Sequence, residues 1–187
     1  LIEDASHDYF EVTINDAAAP LTTSGIIANL MVSKSKRGYC DGAWQIIGAD
    51  AKDGYGPLAY DVAMEYVGHE GLMCDRVSVS AEAANVWDIY LNSRPDVKAI
   101  QLDSLKKPFL TTKDTSDDCE GEYTLARHTD RDIALSFDPI NNANHRNKWI
   151  DHWSTKKYVK QGTPIIDELK ERRAIYFDRD DVGHYYF

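Results

Sequence analysis

The stretch Ala43-Trp-Gln-Ile-Ile-Gly-Ala-Asp-Ala-Lys-Asp-Gly54-Tyr55-Gly56-Pro57-Leu58 decides the fold. Ala43 to Gly48 is apolar and rich in residues that suit a pleated surface, so it reads as a strand. The run that Pro57 opens changes period: Leu58, Ala59, Val62, Ala63, Tyr66 and Val67 recur at helical spacing. Proline suits the first helical turn, because the N–H it lacks has no intrahelical acceptor there. This reading leaves Asp61 and Glu65 on the solvent side. Between strand and helix, Gly54 and Gly56 remove Cβ atoms where the backbone must bend and where a ligand can come close. A turn of this kind offers main-chain N–H groups and the positive end of a helix dipole to an anion.

Upstream, Tyr9-Phe-Glu-Val-Thr-Ile14 and Gly25-Ile-Ile-Ala-Asn-Leu-Met-Val-Ser33 read as two further strands, and the turn Lys36-Arg-Gly-Tyr39 joins the second to the strand at Ala43. Three consecutive strands predict an antiparallel meander. Downstream come a short strand, Gly71-Leu-Met-Cys74, and a helix that Ser80 caps, with Ala83, Val86, Trp87, Tyr90 and Leu91 on one stripe. Asn92-Ser-Arg-Pro95 ends that helix, and Val97 to Leu102 is the next strand. Residues 104 to 123, with five acidic residues and no apolar period, read as a long acidic loop, the most mobile internal segment. Beyond it, Ile133 to Phe137 suggests a strand, and Asn147 to Tyr158 and Pro164 to Arg173 suggest helices.

Across Ala43 to Leu102 the chain resembles the Gcn5-related N-acetyltransferases. Their signature is Gln or Arg, two residues, Gly, one residue, then Gly or Ala, between a strand and the helix that binds pyrophosphate. Ala51-Lys-Asp-Gly54-Tyr-Gly56 matches both glycines and departs at Ala51. A second family element, Asn with Ala three and Tyr seven residues on, falls on Ser80, Ala83 and Trp87 and matches at Ala83. Gly54-Tyr-Gly-Pro-Leu58, Asp75-Arg76 and Val86-Trp87 are also similar to short acetyltransferase-like phage proteins. The resemblance implies an α/β (α+β) fold with a mixed, mostly antiparallel sheet, a strand splay and flanking helices. Residues 1–103 would be the core, 104–123 the acidic loop, and 124–187 a strand and helix extension completing the same domain. It implies that acetyl-CoA or another acyl-CoA binds with its pantetheine arm along Ile47, Gly48 and Ala49. Gly54, Tyr55, Gly56, Pro57 and Leu58 would wrap the pyrophosphate, with Tyr55 and Ser80 on the cleft walls. The family's general acid is a tyrosine at the position of Trp87, so Tyr90, one turn on, is the residue that would take that role. Pro57 removes one donor from the anion-binding turn, which the charge of Lys52 would offset.

Composition bounds the partners. The 187 residues carry 21 Lys and Arg against 31 Asp and Glu, a formal net charge of −10 that makes nucleic acid a poor partner. The basic runs Lys34-Ser-Lys36-Arg37 and Lys156-Lys157 with Lys160 read as solvated faces. Cys40, Cys74 and Cys119 are odd in number and without CxxC spacing, which predicts neither a disulfide framework nor a zinc ribbon and points to a reducing, cytoplasmic setting, in phage terms a host cytoplasm or a virion. No apolar run is long enough to span a bilayer, and no signal pattern opens the chain, which starts at Leu1.

Other constellations are weaker. His128-Thr-Asp130-Arg-Asp132 is a metal half-site needing a further ligand, and Asp178-Arg-Asp180-Asp-Val-Gly183 lacks the Glu that closes a calcium loop. His145 and His152 are too far apart for one ion, so no metal is expected. Cys74 would be a nucleophile only with a histidine such as His69 beside it; an inert buried thiol is the plainer reading. Two functions stay open. One is an acyl-CoA-dependent N-acyltransferase acting on an amine of a small molecule or protein; the other keeps the fold without the chemistry, as a phage structural or host-interaction protein that binds a partner through its acidic surface and loop.

Overall fold

The computed structural model describes residues 2–6, 8–16, 25–35, 40–75, 79–104, 113–119, 151–175 and 177–179. Its elements in chain order are β1 (Ile2–Ser6), β2 (Tyr9–Asn15), β3 (Ile26–Lys34), β4 (Trp44–Ala51), α1 (Gly56–Val67), β5 (Leu72–Met73), α2 (Ala81–Asn92) and β6 (Val97–Gln101). Then follow β7 (Asp103–Ser104), β8 (Asp118–Cys119), β9 (Lys156–Lys160), α3 (Pro164–Glu171) and β10 (Phe177–Arg179). The fold is α+β: a mixed, mostly antiparallel sheet in the order β10-β1-β2-β3-β4-β5-β9-β6, with three helices among the described residues. β7 and β8 form a small separate pair. The meander β2-β3-β4 is antiparallel throughout, whereas β4 and β5, linked by α1, run parallel.

Alternation in the meander sends Phe10, Val12, Ala28, Leu30, Val32 and Ile46 to one core, where they meet Ala59, Val62, Ala63 and Met64 of α1. Leu30 is fully buried, so its truncation to alanine would cost about 2–5 kcal/mol. A second group of rings, Tyr60, Trp87, Tyr90 and Tyr158, ties α1 and α2 to β9, with centroids 5.2 Å apart for Tyr60–Trp87 and 5.0 Å for Trp87–Tyr158.

Four expectations are corrected. Asp61 and Glu65 do not face solvent: they are buried at 7% and 4% exposure. Helix α1 is covered on that flank by β9 and α3. Glu65 accepts hydrogen bonds from Lys160 Nζ (2.7 Å) and from the main-chain N–H groups of Ile165 (3.1 Å) and Ile166 (2.7 Å). The carboxylate thereby caps the N-terminus of α3, which has no side-chain cap of its own. The Lys156, Lys157 and Lys160 run is accordingly not a solvated face, since all three are buried.

The helix expected over Asn147–Tyr158 is, where described, a short turn at Trp153–Thr155 followed by β9, because His152 Nδ1 accepts the Ser154 N–H and the next residues pair with β6. The strand expected at Ile133–Phe137, the set His128, Asp130 and Asp132, and His145 lie outside the described residues. Cys40 and Cys119, 79 positions apart, are joined as a disulfide with their Cα atoms 4.6 Å apart. The turn at Cys40–Gly42 meets β8 there, and the Asp41 N–H donates to the Ser116 carbonyl. That bond, the buried Cys119 and the β7–β8 pair anchor residues 113–119 of the acidic loop.

Candidate functional site

Met31 and Val32 are adjacent on β3, yet their partners on β4 are Gly48 and Ile46, so Ile47 is an extra, bulged residue. A bulge bends its strand and increases the local twist. On the opposite edge, β4 pairs with β5 only at Trp44–Leu72 and Gln45–Met73. β5 ends there, and β4 bends at its bulge and runs on past Gln45 with this edge unpaired among the described residues.

The opening is a cleft of about 220 Å³. One wall is the stretch of β4 from Ile46 to Ala49; the other is the start of α2, with Ser80, Ala83 and Trp87. Tyr60 of α1 lines it, as do Asp75 and Val79, which follow β5. Ile47 is 47% exposed. No strand among the described residues pairs with the β5-facing edge of β4 beyond Gln45. An extended ligand can lie along such an edge as an added strand does.

Most of the residues that line the cleft are apolar, but about half of the surface they expose to it is polar. Ser80 Oγ accepts the Ala83 N–H at 3.2 Å, capping α2 as expected. Asp75 Oδ1 is 3.5 Å from Gln45 Nε2. Burial, and secondarily the Cys74 thiol, push the Tyr60 hydroxyl up to about 12, so it stays protonated at neutral pH.

The structure brings Ile47, Gly48, Ala49 and Ser80 together in this cleft. Gly54, Tyr55, Gly56, Pro57 and Leu58 lie outside its lining, as the turn that leaves the end of β4 and the first residues of α1. Gly54 has φ +86°, a conformation that favours glycine. Gly56 does not: a Cβ there would meet only the Ala51 Cβ, at 4.0 Å. Tyr55 is 43% exposed at the helix start.

Tyr90 is not in the cleft. It is 1% exposed, and its hydroxyl lies 3.1 Å from both Asp61 Oδ1 and the Pro57 carbonyl. Burial and the Asp61 charge push its pKa upward, away from any useful acid range. The stripe on α2 directs Tyr90 into the core, whereas Trp87 is both core and cleft wall. Tyr60, which the periodicity passes over, is the phenol that reaches the cleft; its signal was an aromatic hydroxyl one turn beyond the glycine turn. Cys74 is buried and His69 exposed.

No protein-family model, no curated protein and no solved structure matches this chain. Among the described residues no helix is long and apolar enough to cross a membrane.

Proposed function

We propose that the chain is an acyl-CoA-dependent N-acyltransferase-like protein acting on an amine. The observation that carries this reading is the bulged stretch of β4 that runs on past the end of β5 with an unpaired edge, beside a cleft between Ile47–Ala49 and Ser80–Trp87. The pantetheine arm would hydrogen-bond along the open edge of β4, and the pyrophosphate would meet the turn at Gly54–Leu58. Gly56 supports this, because nothing within the fold requires glycine there. An amine attacks the thioester carbonyl, the C–S bond breaks, and the amine proton passes to water or Asp75. Tyr60, protonated at neutral pH, donates a hydrogen bond to the departing sulfur.

A second reading, a binding protein on the same scaffold, is favoured by Trp87, whose ring forms the wall where the resemblance implies a tyrosine. The cytoplasm supplies acyl-CoA, so a cytoplasmic setting belongs to the first reading; the Cys40–Cys119 bond pulls toward an oxidising one.

Thermal melting with acetyl-CoA separates the readings. At about 100 times the dissociation constant a ligand adds about 2.7 kcal/mol, a rise of about 5–10 °C for a domain of this size. Gly56→Glu should abolish the rise. No rise with acetyl-CoA, CoA or longer acyl-CoAs would leave the binding-protein reading.

A further inference from the structure

Asp103, Asp117 and Asp118 come together where β7 meets β8, each offering a carboxylate oxygen within 4.8 Å of the others. Asp103 is fully buried and Asp118 is 6% exposed. Asp118 Oδ1 is buried and has no hydrogen-bond partner among the described residues. A buried carboxylate oxygen without a donor is costly, and two neighbouring carboxylates make it more so. Burial, and after it the negative charges of Asp103 and Asp114, push its carboxyl upward. An orphaned acceptor in an acidic group calls for a cation.

We infer that Asp103, Asp117 and Asp118 form a binding site for a hard divalent cation, Ca²⁺ in particular, at the junction of β7 and β8. All three ligands are oxygens, which such ions prefer over softer metals. Oxygens about 2.3–2.6 Å from one Ca²⁺ stand up to about 5 Å apart, so carboxylate oxygens that all lie within 4.8 Å of one another can share one such ion. The consecutive Asp117 and Asp118 come from an irregular approach to β8, and Asp103 from β7, an arrangement that suits the flexible geometry of calcium. The ion would bind the acidic segment to the sheet end beside the Cys40–Cys119 bond. This site is separate from the cleft and does not depend on how the cleft is used.

Calorimetric titration of the full chain, stripped with EDTA, with CaCl₂ tests the site. Binding is expected at one equivalent, with a dissociation constant on the order of 10⁻⁵ to 10⁻³ M and a melting rise of about 5–10 °C at 100 times that constant. Asp118→Asn should weaken binding at least tenfold while raising the melting temperature of the ion-free protein. Should that variant not fold, Asp117→Asn at the more exposed position gives the same comparison. Absence of heat and of a melting rise with Ca²⁺ up to 10 mM would overturn the proposal, as would variants that bind as tightly as the parent.

Discussion

Lys160 Nζ lies 2.7 Å from Glu65 Oε1, with the two side chains exposed by only 2% and 0%. This pair joins the last residue of β9 to the third turn of α1, and through the main chain of Ile165 and Ile166 it also holds the start of α3. Removing one member leaves the other charge buried without its partner. Lys160→Met is therefore expected to lower the unfolding free energy by about 3–5 kcal/mol, measured by urea denaturation. Glu65→Gln, which keeps an acceptor for α3, should cost less, about 1–3 kcal/mol. A loss below about 1 kcal/mol for Lys160→Met would show that the ion pair does not matter to the fold.

The two tyrosines near the cleft should separate cleanly. Tyr90→Phe removes a donor from buried Asp61 and should destabilise by about 1–3 kcal/mol while leaving the acetyl-CoA melting rise and turnover unchanged. Tyr60→Phe should leave the rise in place and slow turnover by about 10²-fold or more. Equal turnover in parent and Tyr60→Phe would remove that hydroxyl from the mechanism.

Closure of a long loop between Cys40 and Cys119, 79 positions apart, restricts the unfolded chain. Replacing both by serine should cost about 2–4 kcal/mol. Peptide mapping without reductant is expected to find the 40–119 link, with Cys74 alkylated only after unfolding because it is buried. A freely alkylated Cys40 in the native oxidised protein would contradict the pairing.

Acid should weaken the fold through Glu70. Burial works to raise its pKa, but hydrogen bonds from Lys34 and the Trp44 indole prevail and hold it below the ordinary value. Asp96 is held low mainly by its hydrogen bonds from Arg94. For carboxyls depressed in the folded state, stability is complete above the unfolded value, about 4, and is lost as pH falls through the folded value. Melting temperature should thus drop below about pH 5, and Glu70→Gln should flatten part of that drop. A slope unchanged in Glu70→Gln would place the acid sensitivity elsewhere.

Local pattern was enough for the meander, for α1 with Pro57 in its first turn, and for α2 with its Ser80 cap. Each is set by near-neighbour sterics, alternation and hydrogen bonds within a few residues, which a sequence displays directly. The stretch Ile47–Ala49 and Ser80 could be nominated for one cleft because element order places β4 and α2 on either side of β5. What lay beyond local pattern depended on contacts between distant segments. Asp61 and Glu65 look solvent-facing on the helix; their burial follows from Lys160 and α3, some hundred residues later. Tyr60 and Tyr90 are both phenols on amphipathic helices, and only the packing of α1 against α2 and β9 turns one to the cleft and the other to the core. The Cys40–Cys119 bond and the Asp103–Asp117–Asp118 cluster arise because β8 folds back beside β7 and the turn at Cys40. Long-range closure of this kind leaves no periodic trace in the chain, since its energy comes from groups that meet only after the sheet has formed.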